Sequence, residues 1–140
     1  MNNLEARLTE LSPYVLAILR IMTALLFMAH GTAKLLGFPD TGMSPPLFSL
    51  AGFAGALELV GGILLVLGLF TRPVAFILSG EMAVAYFMAH ASRDFYPILN
   101  GGETAILFCF IFLYLVFAGP GAWSLSGQRA EAGEPATQKV

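Results

Sequence analysis

Charged side chains are scarce in this sequence. Asp, Glu, Lys and Arg make up 11% of its 140 residues, against about 25% in an ordinary soluble domain. With hydrophobic residues at 57% and a mean hydropathy of +0.78, the shortfall places the chain in the membrane class before any segment is considered. A basic surplus is also lacking. The net charge of -2 excludes nucleic acid as a partner, because neutralising phosphates needs a basic surface. Cysteine is nearly absent, and the one present, Cys109, sits in an apolar run. That excludes an intrachain disulfide, a Cys-x-x-Cys redox pair and a cysteine zinc site. Metal and nucleotide motifs are missing as well.

What the sequence has is long apolar runs. Four of them predict an all-α integral membrane bundle of four transmembrane helices, at about 13–36, 47–70, 73–91 and 99–118, the last opening at Leu99 or Glu103. Each approaches the ~20 residues that a span requires, and in hydrocarbon the backbone must bond within each segment. Residues 1–12 read as a polar N-terminal segment, 13–125 as the membrane domain and 126–140 as a disordered polar tail. Pro13 suits a first helical turn. The first run is too long for a signal-peptide core, and Lys34-Leu35-Leu36-Gly37 follows it instead of a small-residue cleavage site, so it reads as a retained span. Arg7, Arg72, Arg129 and Lys139 collect on one side, and Lys34 and Arg93 on the other. The positive-inside rule then puts both termini in the cytoplasm, with the chain in the cell's inner membrane.

The few charges inside these runs organise the chain. Arg20, His30 and Lys34 share one side of the first helix at about 100° per residue. His30 and Lys34 are surface neighbours four residues apart, and Gly31 on the same face permits close backbone approach. In the second helix Glu58 shares a face with the small residues Ala51, Ala54, Gly55 and Gly62, the kind of face that meets another membrane helix. A buried carboxylate without a partner would take a proton, and Lys34 or His30 could keep Glu58 ionised. A structural ion pair and a proton or substrate site are both open readings for Glu58, and an interhelical hydrogen bond is open for His30. Counted from the N-terminal side, Arg20 and Glu81 both lie roughly 10–12 Å deep, which predicts a structural ion pair between them. His90 ranks lower, being on the opposite side of its helix from Glu81.

Asn100-Gly101-Gly102-Glu103 predicts a helix start, with Asn100 as cap and Glu103 in the first turn. Capping alone accounts for Glu103. Alternatively, the backbone N–H groups of Gly101 and Gly102 would bind an anionic or carbonyl-bearing ligand. Leu107, Phe110 and Tyr114 continue the Glu103 face and would line an apolar slot, although aromatic stripes more often serve packing.

Taken together, these motifs resemble the DoxX family of small four-helix membrane proteins, which includes DoxD-like subunits. The matching residues are Arg20 and His30-Gly31-Thr32-Ala33-Lys34-Leu35, Glu58 with Gly61-Gly62 and Gly68-Leu69-Phe70-Thr71-Arg72, then Asn100-Gly101-Gly102-Glu103 and Gly119-Pro120-Gly121. The resemblance spans about Leu11 to Leu125 and implies a membrane protein linked to redox, as in thiosulfate:quinone oxidoreduction or assemblies that handle oxidative stress. The first expectation is therefore a redox-linked subunit holding a quinone-like molecule. His30, Lys34, Glu58 and Glu103 would do the chemistry, Gly101, Gly102 and Tyr114 would bind the molecule, and no metal is involved. A scaffold recruiting redox or stress-response enzymes and an oligomeric small-solute or proton permease are the alternatives. The expected partners are the lipid bilayer and a redox protein or further copies of the chain.

Overall fold

The computed structural model describes residues 3–127. It is helical throughout the regular elements: α1 (Asn3–Leu36), α2 (Leu50–Leu67), α3 (Thr71–Ala85) running into a π-helical turn (Tyr86–His90), the short α4 (Pro97–Asn100) and α5 (Glu103–Ala118). Three stretches are long and apolar enough to cross a membrane, namely α1, α2 and Thr71–His90, while α5 is apolar but has only 16 residues.

The ends of the elements follow local chemistry. The first helix starts at Asn3, ten residues before the expected Pro13, which lies inside it. Leu4, Glu5, Ala6, Arg7 and Leu8 are good helix formers, so the helix runs through the proline despite its missing N–H. The carbonyl of Pro13 accepts the N–H of Ala122 at 2.9 Å, which ties this level of α1 to the loop after α5. The second helix is shorter than expected. Ser49 caps it by accepting from the N–H of Gly52 at 3.1 Å, and Gly68, at φ 66°, stops it in the left-handed conformation that glycine tolerates. At the far end, Gly101 (φ 72°) closes α4 and Gly102 precedes α5. Glu103 is consequently the first residue of its helix. Of the expected polar tail, Ser126 and Gly127 are tied down: Ser126 donates its N–H to the carbonyl of Gly68 at 3.3 Å, and Gly127 donates to Ser124 Oγ at 3.0 Å. Residues 128–140 lie outside the described residues.

The bundle consists of two helix pairs, α1 on α2 and α3 on α5, joined through α2–α3 and α1–α5 contacts. The seam between them is filled by Ala24, Phe27, Leu65, Leu78, Phe108 and Phe112. Phe27 meets Phe108 and Phe112 edge-on at ring-centroid distances of 5.2 and 4.8 Å, geometries that aromatic quadrupoles favour.

Candidate functional site: a buried charge set between the first three helices

Glycine on two helices builds this site. A Cβ on Gly31 would lie 2.7 Å from the backbone N of Leu59 and 2.8 Å from the carbonyl of Gly55. Only glycine lets α1 and α2 come this close. Gly55 in turn receives the stem of Lys34, whose Cβ is 3.0 Å from where a Gly55 Cβ would be. One turn further along each helix, Lys34 Nζ donates to Glu58 Oε1 at 2.5 Å. Glu58 is 2% exposed, so this is a charge pair inside the bundle, with the stem of Lys34 reaching in from a half-buried position.

The pair is not self-sufficient. Glu58 Oε2 is buried without a hydrogen-bond partner, and so are both carboxyl oxygens of Glu81 on α3. Glu81 lies within electrostatic reach of both Glu58 and Lys34, and His30 within reach of Glu58. The set therefore comprises one ammonium, two carboxyl groups and an imidazole at its edge. His30 is exposed at the bundle surface, where its ring meets Phe108 edge-on at 5.9 Å. Beside it a groove of about 140 Å³ runs between Ala29, His30 and Ala33 of α1 and Pro39, Thr41 and Met43 of the following loop.

The expected ion pair between Arg20 and Glu81 does not form. Arg20 is fully buried, but its guanidinium donates to four carbonyls: Leu65 at 2.6 Å, Val66 at 3.2 Å, Ala122 at 3.2 Å and Trp123 at 2.9 Å. The last turn of a helix leaves carbonyls without intrahelical donors, and Arg20 serves those of α2 together with the loop after α5. Its role is a clamp on one end of the bundle. Arg72 does the same for α5, donating to Val116 and Phe117 at 2.6 Å each.

The far-end ligand site predicted around α5 is not built either. Glu103 is exposed and is not a member of the Lys34–Glu58 ion pair. The N–H of Gly101 is bonded to the carbonyl of Pro97, and that of Gly102 to Asn100 Oδ1 at 2.7 Å and the Pro97 carbonyl at 3.1 Å. Neither is open to a ligand. Leu107, Phe110 and Tyr114 face outward, more than half exposed. The inward face of α5 is Ala105, Phe108, Phe112 and Leu115 instead. His90 bonds through Nδ1 to the carbonyl of Asn100 at 3.0 Å and stacks on Tyr86, so it belongs to the loop network at that end. Among the described residues no three His, Cys, Asp or Glu side chains come together to hold a metal ion.

Glu81 is the member of the set that the sequence reading assigned elsewhere. The signal was present in the α2–α3 hairpin: Glu58 precedes the end of α2 at Leu67 by nine residues, and Glu81 follows the start of α3 at Thr71 by ten. Extending α2 to Phe70 and opening α3 at Pro73 moved the two apart by roughly 6 Å in depth.

Comparison with known proteins places this architecture. The DoxX family profile matches residues 15–91, which hold every member of the charge set. An uncharacterized protein of Haemophilus influenzae is 49% identical over 91% of this chain and 97% of its own length. The inner membrane protein YphA of Escherichia coli is 32% identical over 81% of this chain and 89% of its own. A Bacillus subtilis protein named putative oxidoreductase CatD is 32% identical over 64% of this chain and 75% of its own. No solved structure matches the chain. The profile covers more than half of the sequence and the relatives align along most of it: the chain belongs to the DoxX family of membrane proteins.

Proposed function

We propose that this protein is a redox-linked subunit of the inner membrane in which Lys34, Glu58 and Glu81, with His30 at the rim, handle protons for a quinone-like molecule. One observation carries the reading: Glu81 buries both carboxyl oxygens without a bond of its own, within electrostatic reach of an existing ion pair. Such a group contributes nothing to assembly that Lys34 and Glu58 do not already supply. Ionisable groups inside a membrane are costly and mark proton or substrate paths by default. One positive and two negative charges leave the set one proton short of neutrality, so it is suited to holding and releasing a proton.

The groove beside His30 is smaller than the ~300–1,000 Å³ of an enclosed ligand pocket, yet its apolar walls and single imidazole suit the edge of a flat ring whose tail remains among the lipids. His30 would hold such a ring by a hydrogen bond to its carbonyl. A bound quinone supplies two-electron, two-proton chemistry, with electrons coming from a partner protein or a diffusible reductant. Glu58 Oε2 and the Glu81 carboxyl are the positions at which this chain would keep the protons, and Lys34 fixes the orientation of Glu58. The name of the Bacillus subtilis relative supports the redox part of this reading. In this reading all four long helices span the membrane, with both termini in the cytoplasm.

The test is native mass spectrometry of protein gently extracted from its own membrane, followed by solvent extraction. A stoichiometric quinone that is lost in His30→Ala is the expected result. Folded protein that carries no quinone and shows no quinone-dependent turnover contradicts it. A stoichiometric protein partner without any small molecule would instead make the chain a scaffold.

A further inference from the structure

The first helix has two faces of equal regularity, and only one is used. Ala17, Arg20, Ala24, Phe27 and Gly31 recur at alternating spacings of three and four and turn into the bundle. Nearly opposite them at about 100° per residue, Leu4, Leu8, Leu11, Val15, Ile18 and Met22 recur with the same alternation. The series ends at Leu25, and these side chains are 47% to 66% exposed. This is a heptad a/d stripe of large apolar residues, with Leu8, Val15 and Met22 at a and the others at d.

Lipid covers only part of that stripe. The 34 residues of α1 span about 51 Å, against ~30 Å of hydrocarbon. Tyr14 and Trp123 pair edge-on at 5.5 Å, the residue types that settle at a membrane interface. Pro13 at the same level is bonded to Ala122 in the loop that closes the bundle. From Tyr14 to Leu36 the helix is long enough to cross. Residues 3–12 then project beyond the interface, and none of them is buried. There Asn3, Glu5, Arg7, Thr9, Glu10 and Ser12 are polar, and the large apolar side chains are confined to the stripe. The helix continues through Pro13 without a break, so the segment carries its leucines away from the membrane instead of lying in its plane.

We propose that this stripe is a seam between two copies of the chain: their first helices pack in parallel, from mid-membrane out into the aqueous segment. A second copy is the occupant that meets all of the constraints at once. A strict 3.5-residue repeat fits another helix of the same repeat. Copies inserted in the same direction are necessarily parallel, so residues of equal number face each other across a two-fold axis. Leucine at three of the four d positions and valine at one a position suit two strands. The seven half-exposed side chains offer several hundred Å² per copy, approaching the ~800 Å² per partner of a stable interface. This leaves the charge set inside each copy, on the opposite side of α1.

The experiment is cysteine cross-linking in native membranes of the full chain. Leu8→Cys and Leu11→Cys place thiols on the seam, and Glu10→Cys places one off it. The wild type, which carries Cys109, is the control for background. The expected result is efficient disulfide dimers for the two seam positions and background levels for Glu10→Cys. A second variant, Leu8→Lys with Leu11→Lys, alters only side chains that are more than half exposed in one copy, and it should shift the extracted protein from dimer to monomer by native mass spectrometry. Equal cross-linking at all three positions, or a wild type that is monomeric in membranes, overturns the proposal. Spin labels at Leu8 and Leu11 that sit in the headgroup layer with no label-to-label coupling would also overturn it and assign the stripe to the lipid surface.

Discussion

Glu58 on α2 and Glu81 on α3 lie within electrostatic reach of each other, and only Glu58 has a cation bonded to it. The two carboxyl groups thus have different work. Glu58 is half of a pair that joins α1 to α2. Glu81 is within electrostatic reach of that pair and buries both carboxyl oxygens without a bond, the observation on which the proposed proton handling rests.

The pair makes its own stability prediction. Lys34→Met leaves Glu58 buried without its cation, and breaking a buried pair in this way costs ~3–5 kcal/mol. Adding Glu58→Gln to Lys34→Met removes the stranded charge and should recover much of that loss. Thermal unfolding in lipid nanodiscs reads both. Additive losses would mean that the two residues do not act as a pair.

Close approach of α1 and α2 rests on Gly31. Gly31→Ala pushes a methyl group against the backbone of Gly55 and Leu59, an overpacking worth ~1–3 kcal/mol, and it draws Lys34 away from Glu58. Gly80→Ala on α3 meets nothing within 4 Å and should be neutral or stabilising by up to about 1 kcal/mol. The same unfolding measurement distinguishes the two.

Arg20 holds α2 and the loop after α5 to α1 through four carbonyls. Arg20→Gln should cost at least about 3 kcal/mol, since each charge-assisted bond contributes ~1.5–3 kcal/mol. Arg20→Lys should fall between, because an ammonium lacks the planar fork that reaches both segments. Trp123 is the sole tryptophan and lies in the clamped loop. Its emission should shift in Arg20→Gln under conditions where the helices remain folded.

Helices and membrane character were legible from composition and apolar runs, and the Lys34–Glu58 grouping followed from the spacing of His30, Gly31 and Lys34 and from the small-residue face around Glu58. What was not legible depended on where helices end and how they are rotated. Errors of three residues at the end of α2 and two at the start of α3 separated Glu58 from Glu81 in depth and matched Glu81 with Arg20. Arg20 answered to carbonyls left over at the end of α2, marked in the sequence by Gly68. The glycines before Glu103 looked like open donors because their hydrogen bonds run to Pro97 and Asn100, which a helix starting two residues earlier would have released. The face of α5 was misjudged because apolar residues surround that helix, so periodicity does not single out its inner side. The helical N-terminal segment was hidden by Pro13, which suits a helix start as well as an interruption.

The most direct test of the proton-handling reading is infrared difference spectroscopy of the protein in lipid, comparing its states with oxidised and reduced quinone. The account predicts a carboxyl C=O band that changes between the two states, is altered in Glu58→Gln and is absent in Glu81→Gln. A spectrum in which no carboxyl band responds to the quinone, or in which the same band persists unchanged in both variants, would contradict it.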